Sequence, residues 1–284
     1  MKSVILLANP EKPAAQAALL RVRSELSKYP VRIVVAGDGI VTDESDTLML
    51  VVFGGDGTLL AAARTYAATS IPILPIHVGR FGFITESDSS QVSVQVENAL
   101  SNTLEVHTRA MLSASVWLDD TLIGTSPAVN DVVVAGSTRR LVDLTVLIDD
   151  FRVATYAADG VIVASPTGST GYALSAGGPL VHPDVQAILI TPIAAHTLSA
   201  RSLLIPTTSI VCLEVPPAGR GSVDATIDGQ VTLAVPPGGR VTVQQNPEKL
   251  TLVKGTGMTF YAKVTDRWGL GERRNAVIDN TNSH

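Results

Sequence analysis

Over residues 1–104, unbroken apolar runs alternate with segments whose apolar residues recur at helical spacing. "SVILLANP" reads as a buried strand, "EKPAAQAALLRVRSELSKYP" as a helix and "VRIVVAG" as a second strand. "TLMLVVF" predicts a third strand, "GTLLAAARTYAA" a helix, and "IPILPIHVG" a fourth strand. Continuous Val, Ile and Leu strands alternating with helices mark a parallel sheet covered on both faces. Over residues 105–261 the texture changes to short alternating strands such as "VDLTVLIDDFRVATYAADGVIVAS" and "SVDATIDGQVTLAVPPGGRVTVQQ", set apart by Asp-Asp, Gly and Pro turns. That span predicts a β-rich region with one helical candidate, "DVQAILITP". The tail "TFYAKVTDRWGLGERRN" reads as a helix that packs back on the first region, and "DNTNSH" as a frayed end. The predicted division is 1–104 with 262–284 as an α/β domain and 105–261 as a second, β-rich domain.

Composition narrows the function classes. The chain has 284 residues, enough for one large domain or two ordinary ones with a substantial core. Its formal charge of -5 argues against a nucleic-acid partner held by phosphate neutralisation. The apolar run in "MKSVILLANP" is too short for a membrane span and lacks a small-residue cleavage site, so it is expected to be a strand. Cys212 is the only cysteine, which suits a reducing compartment. A soluble, cytoplasmic protein with no membrane partner is expected.

The chemistry concentrates first in "GGDGT", residues 54–58, where a strand becomes a helix. Open α/β sheets bind ligands at such turns, where glycines admit a phosphate and the helix start offers free N–H groups. No Lys follows, so this is not a P-loop, and Leu60 stands where a dinucleotide fingerprint needs glycine. A carboxylate beside a phosphate is repulsive unless a cation intervenes or the carboxylate faces a hydroxyl. Asp56 therefore points to phosphoryl transfer: it orients or takes a hydroxyl proton while backbone and Mg²⁺ hold the donor. Taken alone, the motif also admits a plain helix cap at Asp56 or Thr58.

A second cluster is "AADGVIVASPTGSTGYALSAGGPLVHP", residues 157–183, in which Ser165, Thr167, Ser169, Thr170, Tyr172 and Ser175 crowd a glycine-rich loop. Hydroxyls at this density suit a phosphate- or sugar-bearing ligand. With "GGDGT" at 54–58, "GRFGFITE" at 79–86, "NDVVV" at 130–134 and "DGQ" at 228–230, the sequence closely resembles the NAD kinase family over nearly its whole length. The resemblance implies an N-terminal Rossmann-like α/β domain and a β-sandwich second domain, with the C-terminal segment returning to the first. It implies phosphorylation of the 2′-hydroxyl of the adenosine ribose of NAD, with ATP, another nucleotide or polyphosphate as donor and Mg²⁺ in attendance.

By the same resemblance Asp56 is the proton acceptor, Gly57 lies beside it, and Phe83 lines the adenine site. Asn130 and Asp131 hold the NAD, Asp159 stands near the nicotinamide amide, and Thr170, Gly171, Tyr172, Ala173, Leu174 and Ser175 match a further NAD-binding segment. Gln230 is another NAD contact, and Gly54, Gly55, Gly57 and Thr58 cradle the donor phosphates. A basic NAD contact falls to Arg139 or Arg140. Departures from the family pattern are Ala61 and Ala157, where a basic residue is usual, Gly171 for Ala, and Phe81 for Leu; Arg64 is a substitute for the missing base near Ala61. No protein metal ligands are expected, since His77, His107 and His196 show no metal spacing.

Rival readings share single features. Lipid kinases of the diacylglycerol and sphingosine type carry "GGDGT", and phosphofructokinases a similar turn, but neither accounts for residues 157–183. "ALSAG" at 173–177 lacks the first glycine of a hydrolase nucleophile elbow. A catalytically silent nucleotide-binding module is the remaining alternative. His182 is expected to be a loop hydrogen-bonder, Trp117 and Trp268 core residues, and "ERR" at 272–274 a solvated helix end. The apolar strands "GVIVAS" and "SIVCLEV" are expected to need cover from a second copy, which with the resemblance predicts a homodimer or homotetramer.

Overall fold

The computed structural model describes residues 1–36, 46–79, 82–85, 87–137, 141–197, 199–218, 222–255 and 259–269. Four parallel strands, β1 (Ser3–Ala8), β2 (Arg32–Val35), β3 (Thr47–Gly54) and β4 (Ile73–His77), lie in the order β2-β1-β3-β4. Helices α1 (Pro13–Leu26) and α3 (Val92–Leu100) cover one face, where Leu19, Val22 and Val96 meet Met49, Val51 and Leu74. Helix α2 (Asp56–Tyr66) covers the other, with Leu59 and Tyr66 on Ile5, Leu50 and Val52. A parallel strand buried on both faces is the reason "TLMLVVF" shows no alternation.

The remaining strands are β5 (Val106–Leu118), β6 (Thr121–Ala128), β7 (Asp131–Gly136), β8 (Val142–Ile148), β9 (Phe151–Ala158), β10 (Gly160–Ala164), β11 (Ala187–Ile193), β12 (Leu203–Pro206), β13 (Val211–Glu214), β14 (Val223–Ile227), β15 (Val231–Val235) and β16 (Arg240–Val253). One sheet has ten strands: β4 joins β16 through Leu252 and Ile73, and β16 then pairs with β13 and with β5. The long strand β16 thus carries the α/β sheet into the β-rich region. The second sheet has six strands in the order β12-β11-β10-β7-β14-β15. The two sheets close over a common core that includes Val116, Val132, Val163, Leu213 and Val241, a β-sandwich. The hairpin between β8 and β9 turns on Asp149 and Asp150, both at positive φ, which matches strand twist and is a conformation Asp tolerates.

One element differs in type from the sequence reading, and helix α3 has no counterpart in it. "DVQAILITP" is not a helix; residues 187–193 form β11, because Ile188, Ile190 and Thr191 pack into a sheet interior while paired with β10. Strand β10 is buried throughout within this chain, one face on the sandwich core and the other on Ala173 and Leu189. The expected demand for outside cover is therefore absent at "GVIVA".

Helix α4 (Tyr172–Ser175) follows a 3-10 turn at Thr167–Thr170. The C-terminal helix α5 (Phe260–Trp268) is capped by the Thr259 hydroxyl, which accepts from the Ala262 N–H, and it ends at Gly269 with φ +59°. "ERR" at 272–274 lies outside the described residues.

Candidate active site

The turn after β3 leaves the sheet at Gly54, whose α-carbon is pressed on Thr58: a β-carbon there would sit 2.3 Å from Thr58 Oγ1. Gly55 is the N-cap of α2 and no side chain caps it, so neither Asp56 nor Thr58 serves as the helix cap. Asp56 instead turns its carboxylate to residues 83–85. Its Oδ1 accepts the Ile84 N–H (3.3 Å), the Thr85 N–H (3.0 Å) and the Thr85 hydroxyl (3.0 Å), while among the described residues Oδ2 accepts only the Phe83 N–H (2.8 Å). A carboxylate oxygen has two lone pairs, so Oδ1 is saturated and Oδ2 keeps an open acceptor position. Gly82 makes the approach feasible, since a β-carbon on it would fall 2.0 Å from Asp56 Oδ1.

Helix α5 holds the same segment from behind. Lys263 Nζ donates to the Phe83 carbonyl (2.8 Å), Trp268 stacks on the Phe83 ring at 5.0 Å, and the Arg267 guanidinium lies 5.5 Å over it. Trp268 is thus an aromatic support for Phe83, partly exposed, rather than a core residue. Phe83, Ile84, Thr167, Thr170, His182 and Lys263 line a cavity of about 250 Å³. His107 also reaches it; burial, followed by the nearby Arg109 charge, pushes its imidazole down to about 4.

The Asn130–Asp131 pair enters β7 from a turn held by Asp228 and by the Ser165 hydroxyl, which donates to the Val129 carbonyl (2.6 Å). Asp228 accepts N–H bonds from Val129 (3.1 Å), Asn130 (2.7 Å) and Asp131 (3.2 Å), and it is fully buried at its carboxylate. Gly168 lies so near that a β-carbon on it would fall 2.1 Å from the Asn130 carbonyl. Asn130 Oδ1 is buried without a hydrogen-bond partner in the structure. Asp131 is 5% exposed; burial, and then the Asp228 charge, push its carboxyl up to about 7. Asn130, Asp131, Tyr172, Asp228 and Gly229 line a cavity of about 490 Å³.

A third and larger cavity, about 970 Å³, runs over the C-terminal ends of the parallel strands. Asn9, Lys12, Gly57, Thr58, Ala61 and Gln230 are among its walls. Asn9 and Lys12, in "ANPEK", escape a sequence reading because they follow a strand without a glycine motif.

Not every predicted residue joins this arrangement. Asp159 is exposed at the start of β10, where Gly160 pairs with Ala135, whereas Ala164 at its other end pairs with Asp131. Four residues of strand, roughly 13 Å, separate Asp159 from the Asn130 turn. Arg139, Arg140 and Phe81 lie outside the described residues. Ala173 is wholly buried behind the loop, a packing position rather than a surface for ligand or the elbow of a hydrolase. Gln230 is already engaged: its amide donates to the Gly57 carbonyl (2.8 Å) and its oxygen accepts from Arg64. Arg64 meets Asp228 at 3.1 Å, so it does not replace the missing base at Ala61.

Comparison with known proteins agrees with this geometry. Residues 38–104 match the ATP-NAD kinase N-terminal domain and residues 129–255 the ATP-NAD kinase C-terminal domain. The chain is 41% identical over 214 residues to an NAD kinase of Symbiobacterium thermophilum, covering 75% of each. It is 36% identical over 262 residues to an NAD kinase of Geobacter sp. strain M21, covering 92% of this chain and 91% of that one. In fold it is similar to the crystal structure of yeast NADH kinase complexed with NADH, with a TM-score of 0.84 at 24% identity over 96% of this chain and 89% of that one. It is also similar to an NAD kinase from Archaeoglobus fulgidus in complex with ATP, with a TM-score of 0.73 at 23% identity over 90% of this chain and 94% of that one. Both domains of one family are matched in order, and a relative 36% identical spans 92% of the sequence: the chain belongs to the NAD kinase family.

Proposed function

We propose that the protein transfers a phosphoryl group to the 2′-hydroxyl of the adenosine ribose of NAD, making NADP. The observation that carries the detail is the place of Asp56 between two cavities. Its neighbour Gly57 walls the large groove, and Phe83, which donates to its carboxylate, walls the small aromatic cavity. A donor lying in the groove and an acceptor whose adenine meets Phe83 would converge on Asp56. The free lone pair of Asp56 Oδ2 then receives the hydroxyl proton as the 2′-oxygen bonds to the terminal phosphorus and the bridging P–O bond of the donor breaks.

Asn130 Oδ1, buried and unpartnered, is suited to a ligand donor such as a ribose hydroxyl or the adenine amine. Asp131, Thr170, Gly171, Tyr172, Leu174 and Ser175 are proposed to complete the NAD site. The amides of Gly55 and Gly57 at the start of α2, with the Gly54 backbone and the Thr58 side chain, are proposed to hold donor phosphates; the Thr58 N–H itself is given to the Gly55 carbonyl at 3.0 Å. A groove of about 970 Å³ with Lys12 in its wall suits a nucleoside triphosphate, so ATP is the proposed donor. Among the described residues no three His, Cys, Asp or Glu side chains gather to hold a metal. Mg²⁺ commonly binds through phosphates and few protein oxygens, so it is proposed to arrive with the donor and neutralise its charge.

Phe151 is 74% exposed and Ile210 and Leu204 nearly half exposed, which supports association as a homodimer or homotetramer. Asp159, roughly 13 Å along β10 from the Asn130 turn, is proposed to meet the nicotinamide end of the NAD. A cytoplasmic location is proposed from the lone Cys212. The test incubates the purified protein with NAD, Mg²⁺ and either ATP or polyphosphate, with NADP read by an NADP-specific dehydrogenase. Phosphorylation of diacylglycerol or sphingosine with none of NAD would overturn the reading. Light scattering that gives a monomer mass at all working concentrations would remove the oligomer.

A further inference from the structure

The hairpin between β14 and β15 turns on Asp228, Gly229 and Gln230, with Asp228 at φ +49° and Gly229 at φ +66°. The positive φ is one that Asp tolerates in a hairpin, but a carboxylate wholly removed from solvent is an expensive group to place at a hairpin tip. Its ties explain it. The Asp228 carboxylate collects three successive amides, Val129 to Asp131, and so shapes the turn that presents Asn130. The same carboxylate takes Arg64 of α2 at 3.1 Å, and the other arm of that guanidinium reaches the Gln230 oxygen. Gln230 closes the circuit by donating to the carbonyl of Gly57, next in sequence to Asp56.

One hairpin tip therefore touches the substrate turn, the helix that starts at Asp56, and the backbone beside Asp56. A buried ion pair is a weak source of stability compared with apolar packing of the same volume. What it does supply, with the bonds of Gln230 beside it, is directional geometry between parts of the chain up to 173 residues apart in sequence. We propose that Arg64, Asp228 and Gln230 act as a positioning clasp that sets the Asp56–Gly57 turn against the Asn130–Asp131 turn, so that losing it lowers kcat rather than substrate affinity. None of the three touches the reacting atoms in this role. The proposal rests on the reading that NAD is phosphorylated at Asp56, and it reassigns Gln230 from substrate contact to positioning.

The test compares wild type with Arg64→Lys, Asp228→Asn, Gln230→Leu and the Arg64→Lys/Gln230→Leu double variant. Steady-state kinetics with NAD and ATP are read beside thermal midpoints and direct NAD binding. A displacement of about 1 Å between reacting groups costs on the order of 100-fold, so kcat should fall by about 10- to 100-fold, with each KM within about 3-fold of wild type for Arg64→Lys and Gln230→Leu; Asp228→Asn, which also loosens the Asn130 turn, should raise the KM for NAD besides lowering kcat. The double variant should lose less than the product of its single losses, because the two side chains share one bond. Arg64→Lys keeps the charge but loses the fork, and should rescue little. Should Asp228→Asn fail to fold, Gln230→Leu at the exposed hairpin tip carries the test, since it removes only the ties to Gly57 and Arg64. Folded variants with kcat within about 2-fold of wild type, or losses confined to the KM for NAD, would overturn the clasp. A wild type that makes no NADP at all would overturn the function reading beneath it instead.

Discussion

Asp131 offers a measurement in which substrate binding and stability pull in opposite directions. Burial and the adjacent Asp228 raise its carboxyl from 3.8 to about 7. A carboxylic acid whose folded pKa lies above its unfolded value holds its proton longer in the native state. Native stability is therefore lost as pH rises from about 4 to about 7, and the full cost is in place above that window. Taking 1.36 kcal/mol per unit, the linkage relation gives a cost of about 2 kcal/mol at pH 5 and about 4 kcal/mol at pH 8. Asp131→Asn keeps the shape and removes the charge. It should be more stable than wild type, by an advantage that grows by roughly 2–3 kcal/mol between pH 5 and pH 8. Urea unfolding of both proteins at several pH values between those limits measures the difference directly. An advantage independent of pH, or an Asn variant less stable than wild type at pH 8, would refute the assignment of a raised Asp131.

The same variant should bind NAD less well. A charged acceptor for a ribose hydroxyl contributes about 1.5–3 kcal/mol, so the KM for NAD should rise about 10- to 100-fold at pH 8. In the wild type that KM should climb as pH falls below about 7, where Asp131 takes its proton. In the variant it should stay flat. A protein that keeps a carboxylate where apolar or neutral groups would be more stable is trading folding energy for a site.

Three further outcomes follow from the geometry around Asp56. Asp56→Asn should lower kcat by about 10²–10⁴-fold with NAD binding largely kept; its thermal stability should also fall, by about 1.5–3 kcal/mol, because an amide N–H₂ replaces the acceptor for the Phe83 N–H. Near-normal turnover in a folded Asp56→Asn protein would remove it from the chemistry. Gly82→Ala places a β-carbon 2.0 Å from Asp56 Oδ1, so kcat should drop by at least about 10-fold while the protein stays folded by circular dichroism. Asn130→Ala should raise the KM for NAD more than it lowers kcat, and a collapse of kcat at constant KM would contradict a binding role.

The parallel sheet was legible because β1 and β3 are unpunctuated apolar runs and helices α1 and α2 between the strands have a clear period. Helix α3 escaped for the opposite reason: "VSVQV" alternates with period two, the pattern of a half-buried strand, and only its packing on β3 makes it helical. "DVQAILITP" misled in the other direction, since a short apolar run cannot separate a buried strand from a helix by periodicity. The expectation of phosphoryl transfer at Asp56 comes from the conflict between a carboxylate and a phosphate-binding turn. The groups that hold the carboxylate were not legible, because Phe83, Ile84 and Thr85 reach it through main-chain N–H bonds that leave no side-chain signature apart from the Thr85 hydroxyl.

Asp228 shows where such a reading must stop. It lies in a visible motif, "DGQ", yet every partner of its carboxylate is at least 97 residues away in sequence. A buried charge is tolerable only with its donors assembled around it, and nothing local announces that assembly. The glycines around Asp56 follow the same logic from the other side. Gly54 yields space to Thr58 and Gly82 to the carboxylate itself, so the glycines on the two turns are complementary although they lie 28 residues apart. Gly55 can cap α2 without a side chain, which leaves the Asp56 carboxylate free of capping and available to the second turn. Gly54 and Gly82 leave out the β-carbons that would strike Thr58 and the carboxylate, whereas a β-carbon on Gly55 would meet open space and one on Gly57 only the Gln230 amide, so the two glycines flanking Asp56 keep clear the room that the proposed donor needs.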